Sequence, residues 1–236
     1  MDSTIETTET TPTVSPAIAV APPNDGEQPV ILRGVSWATY ESLLADFAGR
    51  RSPRFAYNQG ALEIMPLSPI HEFSNRRLTT VFEAIADERE LDFINAGSIT
   101  LKRADLAQGL EPDTCFYIAN AERMRSKREI DLTVDPPPDL IIEVDITNPS
   151  LNKFPIYAHL GVPEVWRYDD NQVSIFKLAN GEFVPQTESL ALPGLTSATI
   201  ARFLEDGLTM TRSTWRRGVR EWAQQQSQHT PSKEGD

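Results

Sequence analysis

DLIIEVDITNPSLNKFPIYAHLGVPEVWRYD, residues 139–169, decides how the chain folds. Residues 139–147 are β-branched and apolar enough to form a buried strand. Asn148-Pro149-Ser150 stops that strand and starts a helix, which ends at Gly161, and VPEVWRYD then reads as a further strand. A strand–helix–strand unit of this kind predicts an α/β protein. Within the first strand, side chains alternate between faces, so Leu140, Ile142, Val144 and Ile146 point one way while Ile141, Glu143, Asp145 and Thr147 point the other. Two carboxylates therefore share one face of a strand that otherwise belongs in a core. Desolvating one unpaired carboxylate costs several kcal/mol, and a like charge nearby adds to that cost. Three things compensate such a pair: a divalent ion such as Mg²⁺ or Mn²⁺, water at a sheet edge, or Arg and Lys partners.

Outward from this unit the elements alternate. Ser36 is placed to cap a helix over WATYESLLADFAGR, with Trp37, Tyr40, Leu43, Leu44 and Phe47 along one side. RFAYNQGALEIM reads as two short strands around a turn at Asn58-Gln59-Gly60. Ser68-Pro69 starts a second helix whose apolar stripe is Phe73, Leu78, Val81, Phe82 and Ile85. Strands are predicted over 92–102 and 113–119, QVSIFKL pairs with VPEVWRYD, and helices close the chain over 196–208 and 211–225. The pattern predicts a mixed sheet flanked by helices.

Composition bounds the rest. The chain has 236 residues and a formal charge of −12, but residues 1–29 hold five acids and no Lys or Arg, and residues 221–236 hold three acids and one base. Both ends read as flexible tails, leaving one domain over 30–220 with 26 acids against 21 bases. A broad basic face for nucleic acid is not expected, although net charge does not decide a local site. Cys115 is the only cysteine, which excludes an intrachain disulfide and a cysteine zinc cluster. No leader and no spanning apolar run is evident, so a cytoplasmic protein without a membrane partner is expected.

A second carboxylate-bearing segment sharpens the first. In EPDTCFYIA, Asp113 follows Pro112 where the chain enters a strand. If that strand neighbours 139–147, Asp113 and Glu143 converge on one ion. Lys153, ten residues beyond Glu143 and near the start of the next helix, is able to reach back, where it would align an attacking water or offset charge on a phosphate. A lone lysine there is otherwise a solvated helix residue.

The order Pro112-Asp113, Pro138-Asp139-Leu-Ile-Ile-Glu143-Val, Lys153-x-x-x-Tyr157 and Gly161-Val-Pro-Glu164-Val-Trp166 resembles the Uma2 family of restriction-endonuclease-like proteins, within the PD-(D/E)XK nuclease superfamily. Gly60-Ala-Leu-Glu63-Ile-Met65-Pro-Leu-Ser68-Pro69-Ile-His71 resembles the family's strand, Ser-Pro and His segment. The likeness covers residues 36 to about 185. It implies a restriction-endonuclease-like core with Asp113 and Glu143 as metal ligands and Lys153 as the catalytic lysine. The superfamily's usual lysine stands two residues after the acid; here that position is Asp145, and Lys153 fits a migrated pattern. Asp145 is then a third ligand, a supporting acid or a mark of altered activity.

His71 is either an accessory site residue or a helix-terminal histidine in a hydrogen bond. His71-Glu72 begins like the zinc-protease pattern His-Glu-x-x-His, but Asn75 occupies the second ligand position. Glu63 would face the metal only if its strand runs beside that of Asp113; an exposed strand acid is the expectation. Tyr157, four after Lys153, shares its helix face and either positions the lysine or packs in the core.

These residues predict an endonuclease that hydrolyses phosphodiester bonds in DNA with Mg²⁺ or Mn²⁺, as a homodimer if both strands are cut. A catalytically inactive module of the same fold, binding nucleic acid or protein, is the alternative. A hydrolase of small phosphate esters is a third.

Overall fold

The computed structural model describes residues 29–50, 52–67, 69–145, 151–169 and 172–229. The N-terminal tail up to residue 28, Ser68, the strand stop at 146–150 and residues 230–236 lie outside them.

The decisive strand is β8 (Leu140–Asp145), and it lies inside a sheet, not at its edge. It pairs antiparallel with β7 (Thr114–Tyr117) and parallel with β9 (Glu164–Asp169), and the parallel connection runs through α4 (Phe154–Leu160). A parallel pair needs a crossover of this kind, and α4 supplies it, beginning at Phe154, later than the start expected at Asn148-Pro149-Ser150. β10 (Gln172–Ala179) and β11 (Glu182–Gln186) extend the sheet beyond β9, and β4 (Ile94–Gly97) closes it beyond β7. The order is β11-β10-β9-β8-β7-β4, a mixed sheet of six strands.

A second sheet was not anticipated. β1 (Val30–Arg33), β2 (Arg54–Asn58), β3 (Ala61–Met65), β5 (Leu101–Arg103) and β6 (Gln108–Leu110) form five antiparallel strands in the order β1-β3-β2-β6-β5. The run read as one strand over 92–102 divides between the two sheets: β4 pairs with β7, β5 with β6. The break falls at Gly97, whose φ of 64° turns the chain in a conformation that costs glycine little. The β2–β3 hairpin forms as read, with Gln59 at φ 47° and Gly60 at φ 96°, positive at both turn residues as a tight hairpin requires.

Three apolar clusters bind the layers. Leu140, Ile142 and Val144 of β8, with Trp166 of β9, pack beneath α2 (Pro69–Glu88), α5 (Ser197–Thr209) and α6 (Arg212–His229). Ile141 points the other way, joining Ile156, Tyr157 and Leu160 of α4 and Ala56, Leu101 and Leu110 of the second sheet. Both faces of β8 are thus covered, and each fully buried aliphatic side chain contributes about 1.5–3 kcal/mol. Tyr40, Phe55, Tyr57 and Leu62 hold α1 (Trp37–Asp46) against the second sheet, and Ser36 caps that helix by accepting from Thr39 N at 3.1 Å.

Two expectations are corrected here. Phe73 is 59% exposed and outside the α2 stripe, whose buried face carries His71, Ser74, Asn75 and Leu78 instead. The closing helix expected over 211–225 runs on as α6 to His229, and Ala223 on it is fully buried. Among the described residues no helix is long and apolar enough to cross a membrane.

Candidate active site

Asp113 stands one residue before β7, and the antiparallel register Thr114↔Ile142 brings it level with Glu143 on β8. The two strands are neighbours, as the convergence of these acids requires. Asp113 is 4% and Glu143 3% exposed, so neither charge is dissolved in water and each must be met by protein groups.

They are met separately. Asp113 Oδ1 faces the Arg54 guanidinium, and Oδ2 accepts from Val144 N at 2.7 Å and lies 3.2 Å from His71 Nε2. Glu143 Oε2 lies 2.8 Å from Lys153 Nζ, and Oε1 accepts from the Tyr157 hydroxyl. Asp145 turns to β9, where Arg167 Nε approaches its Oδ2 to 2.6 Å and Arg167 Nη2 spans on to Asp169 at 2.9 Å. Local structure sets these positions. Lys153 occupies the N-cap of α4, its carbonyl accepting from Ile156 and Tyr157, so its side chain reaches back to β8 while Tyr157 follows on the same face one turn later. Lysine and tyrosine thus divide one carboxylate between them.

The electrostatics follow from burial. Desolvation, with Arg54 nearby, pushes the His71 pKa down to about 4, leaving a neutral imidazole at pH 7. With a carboxylate as its partner, Nε2 carries the proton and donates. Burial alone would lower the Lys153 pKa, but the Glu143 carboxylate, then Asp145 and Glu63, outweigh it and hold the ammonium above its ordinary value. Burial lowers the Arg54 pKa, and Glu143 is the foremost charge opposing that shift. Burial raises the Asp145 and Tyr157 pKa values, with Glu143 adding to both.

Glu63 is not an exposed strand acid. It is 1% exposed on β3, which lies between β1 and β2 in the second sheet and not beside β7, and it acts on Lys153 from there. The cluster is therefore built between the two sheets, and its largest omission from the sequence reading is Arg54. An arginine opening an otherwise apolar strand, RFAYN, was the available signal. Asn75 was also missed as a support: its Nδ2 donates to the Asp113 carbonyl at 3.1 Å, and its Oδ1 accepts from the Thr114 hydroxyl at 2.9 Å.

Two cavities open on this network. One of about 940 Å³ is walled by Arg54, Asp113, Asn75 and Thr114 together with Arg50 and Arg76; one of about 350 Å³ is walled by Glu143, Asp145, Lys153, Tyr157 and Arg167. The fit of a divalent ion can be judged from the donors. Among the described residues no three carboxylate, imidazole or thiolate side chains stand together as an ion cage. Mg²⁺ does not need one, since it is commonly held by one or two carboxylates with water and substrate phosphate. Five carboxylates, counting Glu63 and the Asp169 that shares Arg167, formally face three fixed cations, and Arg54 already stands in as a positive charge on Asp113. The donor chemistry fits.

The model of a family named Uma2 and described as "Putative restriction endonuclease" matches residues 37–213. The chain belongs to the Uma2 family. This Uma2 chain is also similar to a solved structure from Anabaena variabilis described as "a putative nuclease belonging to DUF820", with 14% identity and a TM-score of 0.47 over 71% of this chain and 98% of that one. No curated protein matches it. The match takes in both sheets' contributions to the cluster, from Arg54 to Arg167.

Proposed function

We propose that the chain is a nuclease hydrolysing phosphodiester bonds in DNA, with Mg²⁺ or Mn²⁺ held by Asp113 and Glu143. The observation that carries this reading is Lys153: it comes from another element, yet its ammonium lies 2.8 Å from Glu143, one strand away from Asp113. A bound ion of this class supplies polarisation of the scissile phosphate and a more acidic water. The chain's own residues do the rest. Lys153 remains an ammonium, so it serves as a donor that aligns water or meets phosphate charge rather than as a base. Tyr157 holds Glu143 in place, and His71 and Asn75 hold Asp113. Asp145, engaged by Arg167, supports the β8–β9 seam in place of ligating.

The test is cleavage of supercoiled plasmid with Mg²⁺ or Mn²⁺. Lys153→Ala is expected to lower the rate by about 10²–10³-fold, the loss typical of one preorganised donor. Cleavage by Glu143→Ala and Lys153→Ala at the parent's rate would sink the proposal.

One observation favours a non-catalytic module: every oxygen of Asp113 and Glu143 already meets a protein donor. Calorimetric titration separates the two, because a module has no use for Mn²⁺ at these acids. Parallel assays on a small phosphodiester distinguish a general phosphoesterase from a nuclease.

A further inference from the structure

The Arg54–Asp113 contact conflicts with the ion proposed for the same carboxylate, and the conflict suggests how the site works. An ion on Asp113 and a guanidinium on its Oδ1 are like charges sharing one carboxylate, which favours one of them yielding. Arg54 is placed to do so. It is the first residue of β2, where it pairs with Met65 of β3, and its side chain is 11% exposed. Its Nε is buried with no hydrogen-bond acceptor among the described residues. It forms part of the wall of the 940 Å³ cavity, on the side shared with Asp113. A guanidinium fork suits phosphate as well as it suits carboxylate, whereas an ammonium offers only a point charge.

We propose that Arg54 is an exchangeable partner of Asp113: it neutralises the carboxylate in the ion-free chain and passes to a nucleic-acid phosphate in the 940 Å³ cavity when an ion takes the carboxylate. The proposal rests on the nuclease reading and adds to it a phosphate ligand and a reason for ion and DNA to bind together. Released from Asp113, Arg54 lines the cavity with Arg50 and Arg76; Glu72, which pairs with Arg76 at 2.7 Å, and Glu111 line it too, so with Asp113 taken by the ion three arginines stand against two acids for a polyanion. A purely structural ion pair would behave differently, since its loss weakens the fold and leaves no reason for ion and DNA affinities to move in opposite directions.

The experiment measures both affinities: Mn²⁺ by calorimetry, and a fluorescent DNA duplex by anisotropy with Ca²⁺ replacing Mn²⁺. In Arg54→Gln, Mn²⁺ is expected to bind at least about tenfold tighter and the duplex at least about tenfold weaker, the scale of losing one partner of a close charge pair. Arg54→Lys keeps the charge but not the fork; it should hold Mn²⁺ as the parent does and still lose DNA affinity, and it carries the test if the glutamine variant does not fold. Asp113→Asn, binding no Mn²⁺, locates the ion. If both affinities fall together in Arg54→Gln, or neither moves while the parent binds Mn²⁺ and cuts DNA, the exchange is wrong and the nuclease reading stands. If neither the parent nor Arg54→Gln takes up Mn²⁺ and neither cuts DNA, the nuclease reading has failed and the exchange with it.

Discussion

Separating Glu143 from Lys153 should reveal how far the fold depends on the site. The two side chains are 4% and 16% exposed and meet at 2.8 Å, so most of the pair is shielded from water. Glu143→Gln leaves the ammonium facing a neutral amide, and Lys153→Met leaves a buried carboxylate whose remaining donor is Tyr157. Breaking a fully buried pair costs about 3–5 kcal/mol. Water at the lysine end reduces that, and we expect each single change to cost about 2–4 kcal/mol. The double variant removes both charges at once, so it should cost about 2 kcal/mol less than the two singles added, within the range for residues in contact. Domains have about 5–15 kcal/mol in hand, so all three variants should remain measurable. Urea unfolding followed by tryptophan fluorescence is suited to the purpose, because Trp166 and Trp215 are buried. The coupling should also persist in high salt, which screens exposed pairs and spares shielded ones. A coupling below about 0.5 kcal/mol, or one erased by salt, would mean that Lys153 is a solvated helix residue after all.

Other changes test other parts of the structure. Gly109→Ala would set a Cβ 2.6 Å from the Tyr40 hydroxyl and 2.9 Å from Lys102 Cβ; Tyr40 is fully buried, so a loss of about 1–3 kcal/mol is expected in chemical unfolding, and an unchanged midpoint would contradict the packing of α1 on β6. Ser36→Ala should lower stability by about 1 kcal/mol, and Ser36→Asp should restore it, if the hydroxyl caps α1. Cys115 is fully buried and burial pushes its thiol pKa up, so a thiol reagent at pH 8 should label it only after unfolding; rapid labelling of the native chain would place β7 at the surface. Asp145→Asn should leave Mn²⁺ affinity within about threefold of the parent, because Arg167 engages this carboxylate; loss of binding comparable to Asp113→Asn would make Asp145 a ligand.

What could be read from the chain depended on how local the cause was. The β2–β3 hairpin, the α1 cap and the β8–α4–β9 unit are set by neighbouring residues; the hairpin and the cap formed where turn chemistry placed them, and α4 begins at Phe154, later than the expected start at Asn148-Pro149-Ser150. The two-sheet division is a long-range choice. Gly97 marks the break, but nothing near it states that Ile94 will pair with Tyr117 while Leu101 pairs with Leu110. β6 is three residues with a central glycine, too short to carry a period, and β11 contains Pro185, which is tolerated because β11 is an edge strand. Asp113, Glu143 and Lys153 were found because their order is itself a pattern. Arg54 was not, since its partner lies 59 residues on and a charge at a strand's start reads as solvated.

The pair of carboxylates on β8 poses a cost that one ion would meet in a single step, and the protein's own groups meet it in parts. Glu143 and Asp145 share a face, but one turns to Lys153 and Tyr157 and the other to Arg167, so the two like charges are drawn apart along the strand. Asp113 has its own cation in Arg54 and its own neutral donor in His71. Each acid therefore depends on a different element: α4, β9, β2 and α2. Such a division makes the three acids unequal towards an incoming ion. Asp145 and Arg167 lie on adjacent, paired strands, and Arg167 also holds Asp169, so this acid's cation comes from within the sheet. Arg54 is the first residue of β2 and Lys153 the N-cap of α4, so each reaches its acid from outside the strand that carries it. The contacts that an ion would have to displace are therefore those of Arg54 on Asp113 and Lys153 on Glu143, the two acids through which the site would take it.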